Sequence, residues 1–314
     1  MPTLLVALDG SSFADASLPV AVGLARRLRA DLLLVSVLET DPWRYATGGA
    51  PFADSRLEDE HAAEWRTAVR RYLDGAAARI AMLTNAPVVQ TRILTGPVAD
   101  AIVGCATAVN AAMLVVTTHG RGGPSRAWLG SVADALIRLS PVPVVAVRPA
   151  DAPPSLHALP EWQLRRVLVP LDGSPHSECI LGPVRALLDE STECVLMRAV
   201  SPLHPMLRAV ATGSEYERDL AEQRVIVTSY LSRIEGTLQH EGMAVSHCAH
   251  EEFDPPRAIC ECADSLGVDL IALATRGRGP VGRLLLGSVA DKVLRTTNRP
   301  VLLARMTDTP ASGT

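Results

Sequence analysis

An internal repeat limits the fold of this chain more than any other feature. The segment Leu5–Ser11, Leu-Val-Ala-Leu-Asp-Gly-Ser, returns with one change as Leu168–Ser174. Later in each half, Gly-Arg-Gly precedes Leu-Gly-Ser-Val-Ala-Asp, which occupies Leu129–Asp134 and again Leu286–Asp291. Because the landmarks keep the same order, the sequence predicts two copies of one domain in tandem.

A proline-rich segment between the copies indicates the domain boundary. Proline lacks an amide hydrogen and restricts the residue before it, so Arg148–Ser155 is typical of a linker. The length of 314 residues and the hydrophobic share of 48% suffice for two cores. We expect a first domain at 1–148, a linker at 149–164, a second domain at 165–306 and a disordered tail at 307–314.

Each half alternates short apolar runs with amphipathic stretches, which is typical of βαβ units. We predict an α/β fold of two tandem doubly wound domains, each a five-stranded parallel sheet in the order 3-2-1-4-5 flanked by helices. Strand five is apolar and would end each sheet, so we expect the halves to pair through it as a pseudo-dimer. The predicted strands lie near residues 3–8, 32–38, 88–94, 112–117 and 142–147, and near 166–171, 194–200, 244–249, 269–274 and 300–304.

Composition limits the partners and the compartment. The formal net charge of −4 provides no strong attraction for nucleic acid or an anionic membrane. No apolar run is long enough to cross a bilayer, and the first residues lack the apolar core of a secretory signal. The six cysteines follow no disulfide spacing, and the closest pair, Cys260 and Cys262, falls on different faces of a predicted helix. We therefore expect a cytoplasmic protein that binds neither nucleic acid nor membrane.

Two segments in each half can hold a ligand. One follows strand one and the other follows strand four. In a doubly wound sheet these strands are neighbours where the strand order reverses, and ligands bind outside their carboxyl ends. The segments therefore converge on one crevice in each half. Their polar residues and glycines are Asp9, Gly120, Gly130 and Ser131 in the first half, and Asp172, Gly277, Gly287 and Ser288 in the second.

The residue types in these segments favour phosphate and ribose. The amides at a helix N-terminus attract phosphate, and glycine lets the backbone approach it closely. Ser131 and Ser288 either bond the phosphate or cap the helix. Asp9 and Asp172 either contact a ribose hydroxyl or a phosphate-bridging Mg²⁺, or they close a turn after strand one.

The Asp-Gly-Ser segment, the Gly-x9-Gly-Ser loop and the following Val-Ala-Asp resemble those of the universal stress protein family in its tandem form. Members that bind ATP carry Gly-x2-Gly-x9-Gly-Ser/Thr, and here Thr117 and Ala274 replace the leading glycine. The resemblance implies ATP, or ADP or AMP, with Mg²⁺, and adenine near Ala7 and Val37 and their counterparts Pro170 and Val200. The candidate nucleotide-binding residues are Ala7, Asp9, Val37, Thr117, His119, Gly120, Gly130, Ser131, Val132, Pro170, Asp172, Val200, Ala274, Arg276, Gly277, Gly287, Ser288 and Val289.

The two halves differ in two places near this crevice. His119 aligns with Arg276, which either bonds a phosphate bidentately or stands exposed in a loop. The aromatic segment Pro42–Phe52 either covers adenine or packs against the other half, and its counterpart Ser201–Pro205 has no aromatic residue. Both differences predict that the nucleotide sites of the two halves are unequal.

The sequence favours regulation over catalysis. Lys292 is the only lysine, so no Gly-Lys-Ser/Thr loop exists, and no Gly-x-Ser-x-Gly elbow occurs. We expect an ATP-binding stress-response protein that hydrolyses ATP slowly at most. The sequence allows a homodimer but does not require one. The alternative is a nucleotide-free interaction or scaffold protein of the same fold. An adenylate-using enzyme of related fold would need Ser-Gly-Gly after strand one, where this chain has Asp-Gly-Ser.

Overall fold

A computed structural model describes residues 1–38, 55–118, 129–149, 159–200, 213–275 and 286–305. The chain divides into two compact units, with the boundary between Trp162 and Gln163. The boundary therefore falls within the predicted linker, and Trp162 lies against the first unit: a Cβ built on Gly23 would lie 2.5 Å from its Cε3 atom. The predicted domain limits stay predictions.

The first unit is a parallel sheet with helices between its strands. Its strand order is β3-β2-β1-β4-β5, which is the predicted order 3-2-1-4-5. Strands β1 and β4 are almost wholly apolar and buried, as expected for central strands covered on both faces. The elements are β1 (Thr3–Ala7), α1 (Ser17–Leu28), β2 (Asp31–Leu38), α2 (Ser55–Ala81), β3 (Val89–Thr95), α3 (Val98–Ala108), β4 (Met113–Thr117), α4 (Ser131–Leu139) and β5 (Val144–Val147).

The second unit repeats this arrangement and confirms the predicted fold class. Its parallel strands follow the order β10-β9-β6-β7-β8, so the first strand again lies between the second and the fourth. Its elements are β6 (Arg166–Pro170), α5 (Pro175–Glu178), α6 (Leu181–Leu187), β7 (Glu193–Val200), α7 (Gly213–His240), β8 (Ala244–Glu251), α8 (Pro255–Leu266), β9 (Leu270–Thr275), α9 (Ser288–Thr296) and β10 (Val301–Arg305).

The long helices α2 and α7 bury equivalent side chains against the two sheets. Leu73 and Ile80 of α2 are fully buried, and Leu231 and Leu238 of α7 are buried at the same spacing of seven residues. Seven residues are about two helical turns, so each pair faces the sheet from one side of its helix. The repeat is therefore visible in the cores as well as in the motifs.

The structure leaves the pairing of the halves, two predicted segments and the tail as predictions. Pairing of the halves through strand five stays a prediction. The segments Pro42–Phe52 and Ser201–Pro205 and the tail 307–314 lie outside the described residues. Within the described part of the chain, no helix is both long and apolar enough to cross a membrane.

Candidate functional site

The turn after β1 is held by an aspartate and a serine. The Asp9 Oδ1 atom accepts hydrogen bonds from the Ser11 amide at 2.9 Å and from Ser11 Oγ at 2.6 Å. Gly10 has a φ of 82°, a conformation that glycine adopts without strain. The turn-closing role considered for Asp9 is therefore present in the structure.

The same turn follows β6 in the second unit. The Asp172 Oδ1 atom accepts from the Ser174 amide at 2.8 Å and from Ser174 Oγ at 2.6 Å, and Gly173 has a φ of 87°. Partial burial raises the pKa of Asp172, but hydrogen bonds from Ser174 and Ser177 and the charge of Arg198 outweigh it and lower the pKa below its ordinary value. A fixed negative charge therefore stands at the end of the first strand of this unit.

The N-cap of helix α4 is a glycine and not the serine, which is the first residue of the helix. Gly130 is the N-cap residue, with φ −60° and ψ 145°, and no side chain of the described residues caps the helix. Because the first intrahelical bond runs from the Asp134 amide to the Gly130 carbonyl at 2.9 Å, the amides of Ser131, Val132 and Ala133 precede the helical ladder. Ser131 is exposed and does not cap the helix, which removes the capping alternative.

Helix α9 has the same kind of N-cap at Gly287, which has φ −59° and ψ 145°, with no side-chain cap among the described residues. These angles are open to any L-residue. A Cβ built on Gly287 would meet no atom of the described residues within 4 Å. Neither backbone conformation nor packing within the described chain requires a glycine at this position. Ser288 is exposed, and Val289 is half-buried in the first turn.

The helix start and the β1 turn lie at the same edge of the sheet. Strand β1 pairs directly with β4, and β6 pairs directly with β9. The Gly130 amide donates to the Thr118 carbonyl at 2.7 Å, which joins the end of β4 to the start of α4. Thr117 is buried and Ala274 half-buried at the ends of β4 and β9. His119, Gly120, Arg276 and Gly277 lie outside the described residues.

The predicted adenine walls need one correction. Ala7 pairs with Val35 and Pro170 pairs with Met197, so the residue that matches Val37 is Ala199. The sequence-based match of Val200 with Val37 is therefore wrong by one residue, because the segment between the first two strands is one residue shorter in the second half. Neighbouring strand residues point to opposite faces, so Val200, 1% exposed, lies on the other face from Ala199.

The sequence reading missed Arg198 on β7. The register aligns it with Ser36, which is buried, so the second unit has a guanidinium where the first has a hydroxyl. Its Nη1 atom lies 2.5 Å from a Cβ built on Gly173, and its Cζ atom lies 5.4 Å from the centre of the Tyr230 ring. A single charge in the otherwise apolar middle of this strand was the signal available in the sequence.

A tyrosine–carboxylate pair ties each long helix to the segment after the turn. The Tyr72 hydroxyl donates to Asp15 Oδ1 at 2.6 Å, and the Tyr230 hydroxyl donates to Glu178 Oε1 at 3.0 Å. Asp15 and Glu178 each lie six residues after the turn aspartate. Burial and the neighbouring carboxylate raise the pKa of Tyr230 to about 12, so its hydroxyl stays protonated and remains a donor.

Comparison with known proteins identifies the duplicated unit. The profile of the universal stress protein family matches residues 1–148 and again residues 163–305. The chain belongs to this family. Its tandem form is thereby established.

Two relatives and one solved structure agree with this family assignment. A universal stress protein of Mycobacterium tuberculosis is 31% identical over 196 residues, which cover 62% of each chain, so the match spans less than two thirds of that relative. A universal stress protein of Mycolicibacterium smegmatis is 26% identical over 304 residues, 96% of each chain. The crystal structure of a universal stress protein from Archaeoglobus fulgidus superposes with a TM-score of 0.62 at 17% identity, covering 98% of this chain and 97% of that one. This structural likeness shows the fold.

Proposed function

We propose that this universal stress protein is a regulatory ATP-binding protein of the stress response. The nucleotide, ATP or its products ADP and AMP, lies at the carboxyl ends of the first and fourth strands in one or both units. The observation that supports the proposal is the helix start at Gly287: a Cβ there would meet no atom of the described residues within 4 Å, and the amides that follow it lie outside the helical ladder. We call the glycine N-cap of α4 or α9, together with the amides that follow it, a cradle. Such a group of amides suits a phosphate group.

The groups around the cradle have complementary tasks. The amides at the start of α4 and α9 bind phosphate oxygens, and the exposed hydroxyls of Ser131 and Ser288 add one bond each. Asp9 and Asp172, at the neighbouring strand ends, face the ribose and a phosphate-bound Mg²⁺. Ala7, Val37 and Pro170 provide apolar contacts for adenine.

A regulatory role fits the chemistry of these groups better than hydrolysis. Each turn aspartate already accepts two hydrogen bonds from its serine, and in the second unit these bonds contribute to the lowered pKa of Asp172. A carboxylate held in this state is a weak base for activating water. Occupancy of the site, rather than turnover, is then the signal, and hydrolysis is slow at most.

The test places a negative charge at each helix start. Gly130→Asp and Gly287→Asp set a carboxylate against the phosphates, and each should weaken ATP·Mg²⁺ binding to its unit by at least about tenfold, about 1.4 kcal/mol. Isothermal titration of the full chain measures this loss. Gly236→Asp is the matched control, because a Cβ there also meets no described atom within 4 Å but stands on α7, away from the helix starts.

One observation favours the nucleotide-free alternative in part. Thr117 and Ala274 carry side chains where the ATP-binding pattern has glycine. If the purified chain releases no adenine nucleotide on denaturation and gives no binding heat with ATP·Mg²⁺, the nucleotide proposal is wrong. The protein is then an interaction module that has kept the fold. Equal binding by both aspartate variants and the wild type would likewise reject the phosphate cradle.

A further inference from the structure

Two cysteines of the second unit are in contact across a helix and a strand. The Sγ atoms of Cys248, on β8, and Cys262, on α8, lie 3.5 Å apart. All six cysteines of the chain are free thiols in the structure. A disulfide needs sulfur atoms about 2.05 Å apart, so a small movement of the two side chains would close one.

The geometry points to a modification site at this pair: Cys248 and Cys262 form an oxidisable dithiol that a peroxide converts to an intramolecular disulfide. The site lies on β8, the strand that ends the β10-β9-β6-β7-β8 order of this unit, and on the helix that follows it. It is separate from the cradle at Gly287 and does not depend on nucleotide binding.

The two thiols have different surroundings, which sets the order of the reaction. Cys248 is half-buried, so an oxidant can reach it, whereas Cys262 is 3% exposed. The two thiols are within hydrogen-bond distance and either can donate; this hydrogen bond lowers the pKa of Cys248 and raises that of Cys262. The thiolate is the nucleophilic form, so Cys248 reacts first.

The chemistry balances with one peroxide. The Cys248 thiolate attacks one peroxide oxygen, the O–O bond breaks, and a sulfenic acid forms as hydroxide leaves and takes up a proton. The Cys262 sulfur then attacks Cys248 Sγ, loses its proton, and displaces the sulfenic oxygen as water. Two thiols and one hydrogen peroxide give one disulfide and two waters, with the thiols oxidised and the peroxide reduced.

Three of the other cysteines are less suited to this reaction. Burial raises the pKa of Cys194 to about 12 and that of Cys260 to about 11, and burial also raises the pKa of Cys179. Cys260 lies on the same helix as Cys262, but two residues along a helix is a rotation of about 200°, so it faces away from Cys248. It therefore serves as the control.

The experiment treats the full chain with equimolar hydrogen peroxide, blocks remaining thiols with N-ethylmaleimide, and maps peptides by mass spectrometry. The wild type and Cys260→Ser should each lose two hydrogens and yield a linked Cys248–Cys262 peptide that dithiothreitol separates. Cys248→Ser and Cys262→Ala should form no intramolecular link, and Cys262→Ala should leave a sulfenic acid on Cys248 that dimedone traps.

A second measurement does not depend on the variants folding well. The oxidised wild type should unfold at higher urea than the reduced wild type, because the link closes a loop between positions 14 apart in the chain. A wild-type map that joins other cysteines, or that shows Cys248 as sulfinic acid without any link, would overturn the proposal. So would six thiols that stay fully reduced under this treatment.

Discussion

Arg198 gives the second unit a positive charge at a position where the first unit has the small hydroxyl of Ser36. Its guanidinium lies against Gly173 and lowers the pKa of Asp172. In the proposed site, a ribose hydroxyl would have to share this carboxylate with the arginine. Arg198→Ser should therefore raise the ATP affinity of the second unit. The gain is limited to about fivefold, since the attraction between two partly exposed charges contributes up to about 1 kcal/mol.

Arg233→Ser is the matched control for this change. Arg233 lies over the same Tyr230 ring, 5.6 Å from its centre, and is 64% exposed, but no contact with Gly173 or Asp172 is seen for it. Its loss should leave ATP affinity unchanged in the same titration. If Arg198→Ser instead lowers the affinity, the arginine binds the nucleotide and does not compete with it.

At the scale of elements, a hydrogen bond from a tyrosine on the long helix fixes the segment after the first strand. Asp15 is 6% exposed and accepts from Tyr72 as well as from Arg79 at 2.7 Å, whereas Glu178 is 31% exposed. Tyr72→Phe keeps the ring and removes one donor to a buried carboxylate. It should lower the free energy of unfolding by about 2 kcal/mol.

Tyr230→Phe removes the equivalent hydroxyl from a more exposed carboxylate, so its loss should stay below about 1 kcal/mol. Urea denaturation of the two variants and the wild type measures both values. The phenylalanine ring still lies under the two guanidinium groups, so their contact with the ring is retained. An equal or larger loss for Tyr230→Phe would contradict the dependence on burial.

The sequence predicted the elements well because the repeat marks their ends twice. Strands β1, β4, β6 and β9 begin and end within a residue or so of their predicted limits, since an apolar run followed by Asp-Gly-Ser or by Thr and Gly leaves little freedom. The match of Val37 with Val200 failed because the missing residue falls between motifs, where nothing in the sequence locates it. Only the pairing of β6 with β7 fixes that register.

Contacts between elements were harder to predict than the elements themselves. Gly-Ser at a helix start does not reveal which residue stays outside the helix, and here the glycine does. The contact of Cys248 with Cys262 depends on which side of α8 faces β8. The tyrosine–carboxylate pairs join residues more than 50 positions apart. Such contacts follow from packing, which a single sequence does not specify.

At the scale of the whole molecule, the duplication supplies two similar cradles with different surroundings. Both units have the glycine helix start and the aspartate turn, but they differ on the second strand, where Arg198 lies beside the turn of the second unit and the first unit has Ser36. We therefore expect the first unit to bind nucleotide more tightly than the second. Purified protein should release about one adenine nucleotide per chain on denaturation, and about two after incubation with excess ATP·Mg²⁺, because occupancy follows mass action.

The two aspartate variants decide which unit holds the retained nucleotide. Gly130→Asp should remove it, whereas Gly287→Asp should leave it in place and abolish only the second, weaker binding event in a titration. Chromatography of the released nucleotide measures the first result and calorimetry the second. If Gly287→Asp empties the purified protein and Gly130→Asp does not, then Arg198 favours the nucleotide, and the second unit is the tighter site. Duplication would in that case have improved one copy through a charge at the position where the other copy has Ser36.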